Sequence, residues 1–136
     1  MSEQENLQVV QAFYLAFGQG DLAEALNTLA DNIRWFIPGP KDAIIFVGRR
    51  QGREQVAQLF EKFAEMQEAE EFEPREFIAQ GDKVVALGKY RFRVKATGRS
   101  YESEWVHVFG ISGGKVSDFT EYLDTLAWAA AYQTSR

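Results

Sequence analysis

Cysteine is absent from the 136 residues, which removes disulfide frameworks and thiolate nucleophiles from consideration. Histidine occurs once, at His107, and one imidazole without a thiolate falls short of a structural zinc site. Proline occurs three times, two of them in the stop Pro38-Gly39-Pro40, so most of the chain is free to form regular elements. No segment approaches the roughly 18 apolar residues of a membrane span, and the opening MSEQENLQ lacks the apolar core of a signal peptide. The expectation is a cytoplasmic protein with no membrane partner. Basic residues are outnumbered, 15 Lys and Arg against 20 Asp and Glu, which argues against a nucleic-acid binder that must neutralise phosphates. Arg49, Arg50 and Arg53 do cluster, but without a glycine pattern that cradles phosphate. Nor is there a nicotinamide, flavin or metal signature, so no cofactor and no metal are expected.

What is abundant is aromatic surface, with 11 Phe, 5 Tyr and 3 Trp. Such side chains build cores and also wall ligand cavities. Leu7, Val10, Phe13, Tyr14 and Phe17 recur at helical spacing between Glu3 and Gly18. Asp21, with Glu24 three residues on, reads as the capping box of a second helix carrying Leu22, Ala25, Leu26 and Leu29. A short strand is predicted over Ile33–Ile37, then a loop through Gly48. A third helix over 52–66 carries Val56, Leu59, Phe60 and Phe63 on one face. The stretch EMQEAEEFEPRE holds six glutamates and reads as an exposed, solvated connection into a strand.

Strand signals follow at about 72–80, 83–97, 100–112 and 115–123, with Gly81-Asp82 and Gly98-Arg99 as turns. Asp124 or Thr125 opens a final Ala-rich helix through Tyr132. Helices first and hairpin strands afterwards predict a single α+β domain over 1–136. In it, three N-terminal helices cover a curved, cone-shaped antiparallel sheet and a short helix closes the chain.

This layout resembles the nuclear transport factor 2-like superfamily, in its SnoaL-like and ketosteroid-isomerase-related branch. The matching stretches are GQGDLAEALNTLADNIRWFIPGP, GRRQGREQVAQLFEKF and WVHVFGISGGKVSDFTEYLD. The resemblance implies a cone of sheet enclosing a pocket, and members include isomerases, polyketide cyclases, dehydratases, epoxide hydrolases and plain binding modules. It also implies a homodimer through the outer sheet face. The catalytic sets of two branches are not intact. The aspartate base of ketosteroid isomerases falls at Ile37, their oxyanion tyrosine near Tyr14, and their oxyanion aspartate within Glu104–His107, which holds no Asp. Of the Asp–Arg–Asp set of limonene epoxide hydrolases, two positions fall at Gly88 and Tyr90, and only the last, at Glu121, is an acid.

The candidate site is the pair of strands around His107. Side chains alternate faces, so the turn at 112–115 decides which residues meet. A three-residue turn ending in Gly114 places odd residues together: Ser103, Trp105 and His107 with Phe119, Glu121 and Leu123. A two-residue Gly113-Gly114 turn would set His107 against Thr120 and Tyr122 instead. The first arrangement is favoured because it gathers the larger apolar residues.

On that face His107 and Glu121 are candidates for general acid–base work, with Tyr14 as a helper at an enolate oxygen. Phe13, Phe17, Trp35, Phe60 and Phe63 are expected to line the pocket, together with Tyr90 and Phe92. The direction of Trp35 is open at this point. Asp124 has two readings, as a lining residue and as the N-cap of the last helix. The expected partner is a small apolar molecule, and the expected chemistry is proton transfer beside a carbonyl. The alternatives are a non-catalytic binding module and a dimeric interaction module with the same fold.

Overall fold

The computed structural model describes residues 2–133. Helix α1 (Glu3–Gly18) starts at a capping box, Ser2 Oγ accepting from Glu5 N at 3.1 Å and Glu5 Oε1 from Ser2 N at 2.9 Å. Helix α2 (Leu22–Asn27) is capped by the Asp21 carboxylate on Glu24 N. Strand β1 (Leu29–Ile37) begins four residues before the predicted Ile33, and Leu29 is fully buried as its first residue. A short strand β2 (Gly48–Gln51) lies where a loop is expected. Its sequence GRRQ has no apolar alternation because it is an edge strand with half its groups in solvent. Helix α3 (Arg53–Met66) buries Val56, Leu59 and Phe60.

The glutamate-rich stretch is a correction. It is not a solvated connection but the first half of a long strand, β3 (Gln67–Gln80), paired antiparallel to β4 (Lys83–Val94). Glu68 and Glu70 meet Arg93 and Arg91 across the sheet at 2.6 and 3.0 Å. Register shifts at Ala69/Glu71 and Pro74/Glu76 bulge this strand and let it curl. Strands β5 (Ser100–Ser112) and β6 (Lys115–Leu123) continue the meander, and α4 (Thr125–Tyr132) follows.

The sheet order is β2-β1-β6-β5-β4-β3. Every pairing is antiparallel except β1 with β6, which run parallel in the middle of the sheet. The fold is thus the expected α+β cone with one parallel seam. Gly88 allows a close approach of side chain to strand. A Cβ there would fall 2.2 Å from Trp105 Cζ2 and 2.6 Å from the Glu73 carbonyl, so only glycine lets the indole lie against the strand. Helices α1 and α3 pack Phe13, Tyr14 and Phe60 onto the concave face, which is where the core sits.

Candidate functional site

Gly113 and Gly114, at φ 58° and 80°, form a two-residue turn that pairs Ser112 with Lys115. The expected three-residue turn is therefore corrected. The two-residue turn alone would put His107 opposite even residues, yet the structure pairs it with Glu121. The reason lies three residues away. Ile111 faces Val116, but Gly110 faces Asp118, so Ser117 is an extra residue that bulges β6 and flips its faces. Ser117 Oγ donates back to the Gly110 carbonyl at 3.2 Å. Beyond the bulge, odd residues meet odd residues: Phe109 with Phe119, His107 with Glu121, Trp105 with Leu123.

The inward pair lies in a continuous hydrogen-bond chain. His107 Nε2 and Glu121 Oε2 are 2.8 Å apart, Tyr14 OH and His107 Nδ1 2.7 Å, and Tyr90 OH donates to the same Glu121 Oε2 at 2.8 Å. His107 is 5% exposed and Glu121 8%, so the groups interact in a low-dielectric interior. A carboxylate can only accept, which puts a ring proton on Nε2, and in the neutral imidazole Nδ1 then accepts from Tyr14. Burial, and then the Glu121 charge, push the Tyr14 phenol well above its ordinary range, and the same two causes act on Tyr90. Both tyrosines therefore keep their protons and act as donors. The imidazole is fixed further by Trp105, stacked on it at 4.0 Å and 22°.

The concave side holds a cavity of about 70 Å³. Phe13, Phe17, Trp35, Phe60, Phe63 and Phe119 line it. Tyr14, Tyr90, Phe92, His107 and Glu121 also reach it. Trp35 points inward, 4% exposed and stacked on Phe119 at 3.7 Å.

Four residues expected at the lining do not reach it. Ser103 is buried, with its hydroxyl between the Glu104 carbonyl and Asp124 N. Trp105 lies behind His107 against Gly88, and Leu123 sits opposite Trp105 at the strand end. Asp124 is the N-cap of α4, its Oδ1 accepting from Ala127 N at 3.0 Å. Tyr14 borders the cavity and is bonded to the imidazole. Its hydroxyl lies 2.7 Å from His107 Nδ1.

Gln67, Phe72, Tyr101 and Trp128 line the cavity and were not foreseen. Tyr101 carries a readable signal, since it shares the odd parity of Trp105 and His107 on β5. Gln67 carries none, because a glutamine inside a glutamate run gives no hint of burial. Among the described residues no three His, Asp or Glu side chains converge as a metal site requires.

A family model described as the SnoaL-like domain matches residues 10–119. The chain belongs to the SnoaL-like family. The match spans the stretch from α1 into β6 and so includes Tyr14, Tyr90 and His107, with Glu121 two residues past its end. An NTF2-like protein from Burkholderia xenovorans is 41% identical and superposes with a TM-score of 0.88, covering 98% of this chain and 99% of that one. An NTF2-like protein of unknown function from Burkholderia pseudomallei is 29% identical over 98% of this chain and all of that one, again at TM-score 0.88. The fold alone is shared with TerC co-crystallised with polyporic acid, at 22% identity, TM-score 0.83 and coverage of 93% and 97%. Among curated proteins, an uncharacterized protein of Mycobacterium tuberculosis is 24% identical over 122 residues, 90% of this chain and 91% of that protein. No helix among the described residues of this SnoaL-like protein is long and apolar enough to cross a membrane.

Proposed function

We propose that this SnoaL-like protein is a cofactor-independent acid–base enzyme acting on a small apolar substrate that contains a carbonyl. The observation that carries this reading is the asymmetry of Glu121. Its Oε2 accepts from both His107 and Tyr90, while its Oε1 has no protein donor among the described residues and the side chain borders the cavity. One oxygen anchors the carboxylate, and the other is left for a substrate proton. In the proposed step Oε1 takes a proton from the carbon next to the carbonyl. The C–H electron pair moves to form the enolate, and Glu121 holds the proton as the acid. Return of that proton at another carbon is an isomerisation. Attack of the enolate on a second carbonyl closes a ring, and loss of a β-hydroxyl is a dehydration. His107 and Tyr14 hold the carboxylate in place through the chain described above.

The experiment is proton exchange. The protein should catalyse deuterium uptake into the acetyl methyl groups of 1,4-diacetylbenzene, followed by NMR. Glu121→Gln should reduce this about 10³-fold, with a change in melting temperature of less than about 4 °C. Unchanged exchange in that variant sinks the reading.

A second reading, a binding module without turnover, draws on the cavity's size, since about 70 Å³ is well below the ~300 Å³ of ordinary ligand pockets. It predicts saturable binding with no exchange above buffer. The proposed assembly is a homodimer through the outer sheet face, where half-buried Val85, Leu87, Val106 and Val108 lie beside exposed Tyr122.

A further inference from the structure

The proposed acid–base centre borders the cavity, and a second buried polar side chain borders it from farther along the sheet. Gln67 is the first residue of β3, and its backbone N–H closes α3 on the Phe63 carbonyl. Its side chain is 5% exposed and borders the cavity. Two phenols fix it. Tyr101 OH donates to Gln67 Oε1 at 3.2 Å, and Tyr132 OH from α4 donates to the same oxygen at 2.5 Å. With the carbonyl doubly engaged, the carboxamide NH2 is left over, and among the described residues it donates to nothing. Tyr101 is itself stacked against Phe92 at 5.9 Å and against Trp128 at 6.0 Å. The Gln67 side chain is almost wholly buried and its NH2 has no protein acceptor among the described residues, which places that donor at the cavity to meet a ligand oxygen.

The register separates the two polar ends. His107 lies opposite Ala86 on β4 and Gln67 opposite Val94, from residue 86 to residue 94 along one strand. That is roughly 26 Å of extended backbone. Long side chains reaching inward shorten the gap, and two tyrosines span it: Tyr90, bonded to Glu121, and Tyr101, bonded to Gln67, have ring centroids 6.3 Å apart. The acid–base end offers an acceptor at Glu121 Oε1, and the Gln67 end offers a donor. The walls between are mostly aromatic.

We infer that Gln67 is a specificity-determining residue that donates to a second acceptor oxygen of a flat, two-ended ligand, whose other end presents the enolisable carbonyl to Glu121. This rests on the proposed function, because it takes the Glu121 end as the reacting one. It adds that a substrate with a single oxygen is a poor one.

The test compares two probes of nearly equal shape, 1,4-diacetylbenzene, with an oxygen at each end, and 4-ethylacetophenone, with one. Titration followed by tryptophan fluorescence should show the diketone binding about tenfold tighter to the unaltered protein, the value of one well-made hydrogen bond in a buried site. Gln67→Leu should bring the two affinities within about twofold, and it should do so by weakening the diketone. Gln67→Glu keeps an acceptor for both phenols but removes the donor, and should give the same loss of preference. A near-native melting curve for either variant shows that the fold is kept. A tenfold preference that persists in both folded variants overturns the proposal, as does failure of both probes to bind the unaltered protein. Failure of the acid–base reading looks different: the affinity ratio is intact, but no deuterium enters the acetyl groups.

Discussion

Two rows of polar pairs lie on opposite faces of neighbouring strands, and their hydrogen-bond lengths are nearly the same. On the outer face Arg93 meets Glu68 at 2.6 Å, Arg91 meets Glu70 at 3.0 Å and Lys89 meets Glu102 at 2.8 Å. On the inner face Tyr14, His107, Glu121 and Tyr90 form a chain with contacts of 2.7 to 2.8 Å. The difference is water. The outer side chains are a quarter to a half exposed, so each charge keeps solvent as an alternative partner. The inner groups have no alternative, and removing one strands its neighbour in a low-dielectric interior. Geometry alone therefore says little about what a polar pair is worth.

Breaking the inner chain at its centre should have the largest effect. His107→Leu removes the donor to Glu121 and the acceptor for Tyr14 together. Denaturant unfolding should show a loss of about 3–5 kcal/mol, the range for a buried carboxylate deprived of its partner. A loss below about 1 kcal/mol would mean that water takes the place of the imidazole and that the interior is not dry.

An intermediate effect is expected from Tyr14→Phe, which deletes one hydroxyl and leaves Nδ1 without its donor, at a cost of about 1–2 kcal/mol. The same variant sharpens the comparison through pH. Burial raises the phenols of Tyr14, Tyr90 and Tyr101 in the folded state above their unfolded values. A group raised in this way favours folding below its unfolded pKa, near 10, and loses that contribution as the pH rises further. Stability should be level up to about pH 9 and then fall by about 1.4 kcal/mol per pH unit for each such tyrosine. In Tyr14→Phe the alkaline slope should be shallower by one proton. An unchanged slope would show that Tyr14 ionises as freely in the folded state as in the unfolded.

The smallest effect belongs outside. A double-mutant cycle on Glu68→Gln and Arg93→Gln should give a coupling below about 0.5 kcal/mol in dilute protein. Repeated at concentrations where sedimentation detects the proposed homodimer, the coupling should rise if these strands lie in the shared face. A coupling of 2 kcal/mol in the monomer would erase the contrast drawn above.

The helices and hairpins were legible because their signals are local. The α1 stripe, the Asp21 and Asp124 caps and the turn at Gly81-Asp82 each act over a few residues, and each stands where its pattern predicts. The turn at Gly113-Gly114 is the exception, with two residues rather than the expected three. Strand β2 and the first half of β3 were not legible. The polar residues of GRRQ and the glutamates of β3 look solvated until the partner strands are known, and Glu68 and Glu70 find theirs in Arg93 and Arg91, over twenty residues on. The same non-locality hid Gln67, whose burial depends on tyrosines from β5 and α4 converging on its carbonyl.

By itself the sequence determined that His107 and Glu121 stand on adjacent strands among aromatics, since alternation and turn residues are properties of the chain. It did not determine that they face each other. A two-residue turn alone sets His107 against Thr120, and only the bulge at Ser117 returns Glu121 to the interior. A bulge inserts wherever curvature and packing favour one unpaired residue, and those are set by the whole sheet bending over α1 and α3 rather than by the three or four residues around it. Which oxygen of Glu121 is left without a protein donor among the described residues is decided at that level too, because Tyr90 reaches the other one from two strands away in the sheet.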